Sequence, residues 1–252
     1  MLSPVAYLAC LVLAVLCLLQ SASSFLCLET AVRAPSRVLQ MKEVLGDPKS
    51  WNRPKKTMII YEYEQSPLCK KVRMACSALD LIVEYRPCPG GTYGFSDQLK
   101  QRTLGSDTVP FLYDPGNSVQ TLANIYDAGE IIEYLFENFG PGVNKIPGNL
   151  KAKGTTKSTS GVKPAKNYDE SNMFKKALTL YGFEGGDIQK VRETLSSLCL
   201  AHVMVNVAKG SANRATLDKK GVKTPFLQDP NTRKEFEGAK ECIAYLTATY
   251  TK

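Results

Sequence analysis

The chain has 252 residues, of which 44% are apolar, and it carries a formal net charge of +8. That length is enough for two domains of modest size. The basic excess lies partly in an N-terminal leader and a central linker, without an arginine-aromatic motif, so a solvated surface is favoured over nucleic-acid binding. The eight cysteines form no C-x-x-C pair and His202 is the only histidine, which argues against a metal site and against Ser-His-Asp or Cys-His catalysis.

The N-terminus has the pattern of a targeting leader. An apolar run, AYLACLVLAVLCLLQ, is followed by the small residues of SASSF. The run is short for a bilayer span and its end suits signal peptidase, so residues 1–24 are predicted to be a signal peptide, with an uncleaved anchor as the alternative. Residues 25–55 are predicted to be a transit-like segment, and no stable membrane span is expected in the mature chain. The SASSF joint resembles the bipartite leaders of proteins imported into complex plastids, which implies plastid localisation; the secretory pathway is the alternative.

Residues 56–140 are predicted to form a first domain of alternating strands and helices. MIIYEYE is typical of a strand, and the apolar positions after it, from Leu68 to Leu79, fall on one helical face. LIVEY predicts a second strand, QLKQRTL a short helix, TVPFLYDP a third strand and SVQTLAN a fourth. DAGEIIEYLFENFG predicts a closing helix that ends at Gly140. The predicted order is β-α-β-α-β-β-α.

The same order is predicted again over residues 172–252. ALTLYGFEGGDIQKVRETLSSL matches MIIYEYEQSPLCKKVRMACSAL and shares K-V-R. Farther along, TVPFLYDP and KTPFLQDP share x-P-F-L-x-D-P. A repeat at this spacing indicates a duplicated domain rather than a solenoid. Between the two, residues 141–171 are rich in Lys, Gly, Ser, Thr and Pro, a composition that predicts a flexible linker.

These motifs resemble the thioredoxin-like fold, and in particular the N-terminal domain of glutathione S-transferases and the related glutaredoxins. The duplicated pattern is similar to that of plastid proteins with two such domains in tandem. The resemblance implies an α/β fold made of two tandem thioredoxin-like domains. A helical glutathione S-transferase C-terminal domain is not expected, because the linker is short and polar and the second segment repeats the first. A conventional xenobiotic-conjugating enzyme is therefore not expected.

The start of the first helix carries the candidate catalytic residues Ser66 and Cys69. Relatives commonly have C-P-F-C where this chain has Ser66-Pro67-Leu68-Cys69. Ser66 is interpreted either as a helix N-cap or as a group that stabilises a bound thiolate. Cys69 is interpreted either as a reactive thiolate, favoured by the helix N-terminus and nearby basic residues, or as a quiet buried thiol. On the first interpretation its pKa lies below the usual value of about 8.5 and it is the most readily alkylated thiol, with Cys88 in an exposed loop as its rival.

The resemblance also implies a glutathione-binding set, Val109, Pro110, Asp127 and Ala128. In glutathione-binding relatives the residue before a cis-proline pairs with the cysteinyl part of the peptide, and Val109-Pro110 matches that step. An acid-serine pair opening the last helix holds the γ-glutamyl end; here the pair is Asp127-Ala128, so one hydroxyl is lost.

The second segment is expected to be catalytically silent. Ile188 lies opposite Cys69, and Glu237-Gly238 is aligned with Asp127-Ala128. Only Thr224-Pro225 persists. Cys199 and Cys242 lie on apolar helical faces and are interpreted as core residues.

Two functions remain open from the sequence. One is a glutathione- or thiol-linked redox or transferase-like protein, with glutathione or a protein thiol as partner and any chemistry confined to the first domain. The alternative is a catalytically silent thioredoxin-like binding or scaffold protein. Whether the chain is an enzyme, and its oligomeric state, are left undecided.

Overall fold

The first half of the fold has the predicted element order. The structure is a computed structural model that describes residues 45, 50–90, 93–117, 124–157, 163–208 and 210–252. What we call the first unit, residues 58–139, contains β1 (Met58–Glu62), α1 (Pro67–Ala78), β2 (Val83–Pro87), α2 (Ser96–Arg102), β3 (Thr108–Val109), β4 (Phe111–Tyr113), β5 (Asn124–Ile125) and α3 (Ala128–Phe139). The predicted fourth strand falls mainly on residues 118–123, which lie outside the described residues.

In the first unit α1 and α3 begin at residues whose side chains cap the helix. α1 follows Ser66, whose side chain accepts a hydrogen bond from the first turn, and Pro67 takes the first helical position, where its missing N–H costs nothing. The face of α1 that includes Val72 and Ala75 is buried. α3 ends before Gly140, as predicted.

The second unit, residues 178–250, has the order β-α-β-α-β-β-α, with two strands where the first unit has the three short strands β3, β4 and β5. It contains β7 (Leu178–Gly182), α4 (Asp187–Ser197), β8 (His202–Asn206), α5 (Arg214–Lys220), β9 (Phe226–Asp229), β10 (Lys234–Glu237) and α6 (Ala239–Tyr250). In both units the first two strands are parallel and the following strands are antiparallel. The short strand β6 (Thr156–Lys157) lies between the units in sequence and pairs with β3.

The two units share one sheet. Its eight strands lie in the order β10-β9-β7-β8-β2-β1-β4-β5. The units meet through antiparallel pairing of β2 with β8, in which Val83 lies opposite Met204, Glu84 opposite Val203 and Tyr85 opposite His202. Because each strand is the second strand of its own unit, the joint has the pattern of a two-fold interface within a single chain. All the described residues belong to one compact body, Ser36–Lys252.

A buried ion cluster lies at this joint. The Arg192 guanidinium of the second unit donates to both carboxylate oxygens of Glu64 in the first unit, at 2.9 and 3.0 Å. The same guanidinium donates to Glu184. On the other side Arg73 pairs with Glu62 and Glu64. The K-V-R shared by the two sequence segments therefore supplies one arginine from each unit to a common cluster.

The described residues between the units, 140–157 and 163–177, make defined contacts with both units, whereas their composition predicts a flexible linker. They contain 3₁₀ turns at Val143–Lys145, Gly148–Leu150 and Glu170–Phe174. Leu150 is buried in the main core. Farther along, Tyr168 forms a β-bridge with Thr251. Lysine, glycine and threonine predominate here, but the main-chain groups find partners on both units.

The predicted leader, residues 1–55, lies mostly outside the described residues, so the signal-peptide and transit-segment boundaries stay predictions. In the part of the chain that the structure describes, no helix combines the length and the apolar character needed to cross a bilayer.

Candidate functional site

The structure brings the predicted site residues of the first unit to one region. Cys69 and Val109 belong to the same buried cluster, together with Tyr63 and Phe111. Asp127 and Ala128 open α3, and they are connected to Val109 through a segment of the interdomain linker. We call that segment, residues 151–157 (KAKGTTK), the strap.

Ser66 acts as a helix cap. Its Oγ accepts a hydrogen bond from the backbone N–H of Cys69 at 3.3 Å, and the residue is buried. This agrees with the capping interpretation of the sequence. A buried hydroxyl already engaged with its own helix is poorly placed to stabilise an incoming thiolate.

Cys69 is a buried thiol, and the prediction that its pKa is lowered is wrong. Only 1% of the residue is exposed. Burial, with a further contribution from the Glu62 carboxylate, raises the pKa of Cys69 to about 12. The Ser66 hydrogen bond and Arg73 act in the opposite direction but do not outweigh these effects, and Arg73 is itself paired with Glu62. Helix position and basic neighbours are therefore outweighed by desolvation.

The other cysteines that the structure describes are also buried. Cys88, expected in an exposed loop, is buried, and burial raises its pKa well above the usual value. Cys76 is buried, and so are Cys199 and Cys242, as predicted. Cys199 does not lie on a helical face, however, because α4 ends at Ser197 and Cys199 has a φ of 54°. Among the described residues none of these thiols forms a disulfide.

His202 is a buried neutral side chain. It is 1% exposed, and burial, reinforced by Arg192 and Arg73, lowers its pKa to about 3. It lies in β8 at the joint between the units.

The Val109-Pro110 peptide bond is cis, and so is Thr224-Pro225 in the second unit. Val109 is buried, and its main chain faces the strap. In the two-residue ladder of β3 with β6, Val109 lies opposite Thr156 and Thr108 opposite Lys157. The resemblance assigns the main chain of Val109 to a bound cysteinyl group. In this structure the same main chain pairs with the strap.

The start of α3 also binds the strap. The Asp127 carboxylate caps the helix by accepting from Gly129 N at 2.7 Å, and it accepts from Gly154 N as well. The backbone N–H of Ala128 donates to Gly154 O at 3.0 Å. Asp127 has a φ of 62°, a left-handed conformation that is uncommon for residues other than glycine. Asp127, which has this uncommon conformation, therefore contacts both the start of α3 and the strap.

Two glycines permit this contact, and the sequence analysis did not identify them. A Cβ on Gly129 would lie 2.4 Å from the carbonyl oxygen of Ala152, closer than real side chains come. Gly154 has a φ of +98°, which favours glycine. Gly129 lies in the first turn of α3, where helix-forming residues are preferred. A glycine at that position was the signal in the sequence that could have indicated a close main-chain contact.

The second unit lacks these groups, and the structure corrects the predicted alignment by one residue. The N-cap of α6 is Gly238, with a φ of 86°, so Gly238 is the counterpart of Asp127. Glu237 instead ends β10 and is exposed. Ile188 is buried near Gly182. The second unit therefore presents no acid at its helix cap.

Residues 60–143 match the model of the glutathione S-transferase N-terminal domain. Comparisons of the chain with curated proteins and with solved structures gave no match. The matched region covers β1 to α3 and the first residues of the linker. The first unit is thus a thioredoxin-like domain of the glutathione S-transferase N-terminal type. Domains of this type bind glutathione in general, which relates the protein to glutathione or thiol biology at a coarse level.

Proposed function

We propose that the protein is a glutathione- or thiol-linked protein whose ligand site lies only in the first unit. The observation that carries this proposal is the set of main-chain and carboxylate groups around Val109, Asp127 and Ala128. A main-chain edge before a cis-proline, an N–H at a helix start and a capping acid together suit the backbone, carboxylate and ammonium groups of a small peptide. The family match over residues 60–143 supports glutathione as that peptide.

The site is proposed to bind rather than to perform nucleophilic catalysis in the arrangement described. A pKa of about 12 leaves Cys69 almost wholly as the thiol at neutral pH. A transferase-like or redox role would need the surroundings of Cys69 to open. Pro110 would then shape the site, and Ser66 would remain a cap.

We further propose that the chain consists of two such domains in tandem, the second without a ligand. The recurrence of the element order and the cis-prolines at both Pro110 and Pro225 support this proposal. On this view the second unit stands where a helical domain would follow in a complete glutathione S-transferase. Gly238 in place of Asp127 supports the absence of a ligand there.

A catalytically silent scaffold is the second candidate function. The closed Cys69 and the continuous eight-stranded sheet favour it. The two candidates differ in whether glutathione binds the purified protein, because a scaffold needs no such affinity.

The test is calorimetric titration of reduced glutathione into the full chain and into Asp127→Asn. Asparagine keeps the helix cap but removes the charge that would face an ammonium group. We expect the affinity to fall by about tenfold, as for the loss of a charge-assisted hydrogen bond. Glu237→Gln, an exposed acid of the second unit, is the matched control and should leave the affinity unchanged. Absence of binding to the unaltered chain would favour the scaffold.

We also propose import into a plastid, on the basis of the SASSF joint and the basic segment after it. Residues 1–50 fused to a fluorescent reporter should reach the plastid of an alga with a complex plastid. Phe25→Ala should divert the reporter, because such leaders require the aromatic residue at the cleavage joint. Secretion of the unaltered fusion, or its retention in a membrane, would contradict the proposal.

A further inference from the structure

The strap lies across the groups to which the ligand is assigned. At one end Gly154 O accepts from Ala128 N at 3.0 Å, and Gly154 N donates to the Asp127 carboxylate. At the other end Thr156 lies opposite Val109 in an antiparallel ladder. The strap therefore contacts the helix start and the cis-proline edge together, as one extended peptide.

These contacts are chemically those of a bound peptide. The Gly154 carbonyl takes the helix N–H that a ligand carboxylate would take, and the Gly154 N–H takes the Asp127 oxygen that a ligand ammonium would take. Extended pairing along a free strand edge is a common way for a domain to bind a peptide. Because the single N–H of Ala128 and the main-chain edge of Val109 are both already paired with the strap, the strap and a second peptide cannot occupy them at once.

The strap is held at its N-terminal end but has little apolar anchoring of its own. Leu150, immediately before it, is buried, and the Lys71 ammonium donates to Lys151 O. Within the strap the side chains of Lys151, Lys153, Thr155 and Lys157 are exposed. A segment held mainly by main-chain hydrogen bonds can open at low cost while the rest of the fold persists.

We infer that the strap is an intramolecular occupant of the first unit's peptide site, and that glutathione binds only when the strap leaves. This inference rests on the proposed function. The measured affinity is then the intrinsic affinity reduced by the fraction of molecules with an open strap. The linker thereby regulates the site.

The test combines glutathione titration with limited tryptic digestion, since the strap offers cleavage sites at Lys151, Lys153 and Lys157. Gly154→Ala keeps the main-chain groups but strains them, because φ is +98° there, and no atom lies near enough to clash. We expect roughly fivefold tighter glutathione binding and faster strap cleavage, from the strain of a left-handed alanine. Gly210→Ala is the matched control, with a φ of +87° and open space around it, and should change neither.

In the unaltered chain, saturating glutathione should speed cleavage within the strap, because the two occupants exclude each other. Equal glutathione affinity of the unaltered chain and Gly154→Ala would overturn the inference while leaving the proposed function intact. Strap cleavage that is slowed by glutathione would also overturn it. Binding to neither chain would refute the proposed function, and with it the competition.

A second variant tests, in the absence of glutathione, whether the strap occupies the site of the first unit. Gly129→Ala places a Cβ against the Ala152 carbonyl, which must move, whereas alanine suits the first turn of a helix. Circular dichroism should show a folded chain, and tryptic cleavage within the strap should be several-fold faster than in the unaltered chain. A folded Gly129→Ala chain whose strap is cut no faster would contradict the inferred occupancy.

Discussion

At Cys69 two electrostatic effects oppose each other, and burial is the larger. A first-turn position and basic neighbours stabilise a thiolate, and each is worth up to about 2 kcal/mol when partly exposed. Desolvation of a fully buried group can shift its pKa by several units in the other direction. Arg73 adds little stabilisation, because its charge is already matched by Glu62 and Glu64. Met173, from the segment that follows the strap, packs against the cluster containing Cys69.

The expected result for Cys69 is slow alkylation of the folded protein. With its pKa raised to about 12, roughly one molecule in ten thousand carries the thiolate at pH 8. The rate at pH 8 should therefore stay far below that of a free cysteine derivative, rise about tenfold for each pH unit, and level off only near pH 12 or once the chain unfolds. Iodoacetamide labelling followed by mass spectrometry at each cysteine measures this. Rapid labelling of Cys69 in the native chain at pH 8 would show that the site opens readily.

At the scale of elements, the composition of the linker did not predict its contacts with the rest of the chain. Residues 141–171 are polar and rich in glycine, which is typical of a mobile tether. Most of its contacts, however, use main-chain groups, and composition carries no information about those. The turn Gly148–Leu150 packs on α1. The strap contacts α3 through Gly154 and β3 through Thr156 and Lys157. Leu150, which is buried, and Gly154, which has a positive φ, therefore distinguish this segment from a mobile tether.

Leu150→Ala is expected to destabilise the whole protein by about 2–4 kcal/mol, since a fully buried leucine is removed from the main core. A mobile linker would show no such loss. Val143→Ala, in the same segment but 41% exposed, is the control and should change stability by less than about 0.5 kcal/mol. Urea unfolding followed by circular dichroism gives both values. Equal, small effects of the two substitutions would support a mobile linker.

The elements themselves could be predicted because their signals are local. Ser66-Pro67 fixes a helix start, Gly140 a helix end, and the alternating MIIYEYE a strand. The site was predicted only in part. The residues of the cis-proline step and the α3 start were found by resemblance. The burial of Cys69 and Cys88 and the covering strap depend on contacts between segments distant in sequence, which no local pattern records.

At the scale of the whole molecule, the joint between the units decides whether they behave as two bodies or one. The β2–β8 pairing closes the strand edge that each unit would otherwise leave open. Beneath it, Arg192 of the second unit reaches Glu64 of the first, at 2.9 Å in the shorter of their two hydrogen bonds. Buried charges of this kind are costly when one partner is missing. Separation of the units would therefore leave an open strand edge and break the buried Arg192–Glu64 ion pair.

Glu64 accepts hydrogen bonds from both arginines, and it provides the sharpest test of this joint. Its Oε1 lies 3.3 Å from Arg73 and 2.9 Å from Arg192. Glu64→Gln keeps the shape but removes the charge of the carboxylate that bridges the two guanidinium groups, while Arg73 keeps Glu62 and Arg192 keeps Glu184. We therefore expect a loss of about 1.5–3 kcal/mol in the free energy of unfolding, as for a weakened hydrogen bond to a charged group.

The control for Glu64→Gln is Glu84→Gln, which removes an ion pair with Arg86 in β2 that is partly solvent-exposed and should cost less than about 1 kcal/mol. Denaturant unfolding measures the loss in the free energy of unfolding, and hydrogen exchange shows which strands are affected. Because Glu64 belongs to the first unit and Arg192 to the second, faster exchange should appear in β1 and in β7 alike. Faster exchange confined to the first unit would mean that the shared sheet does not couple the two units.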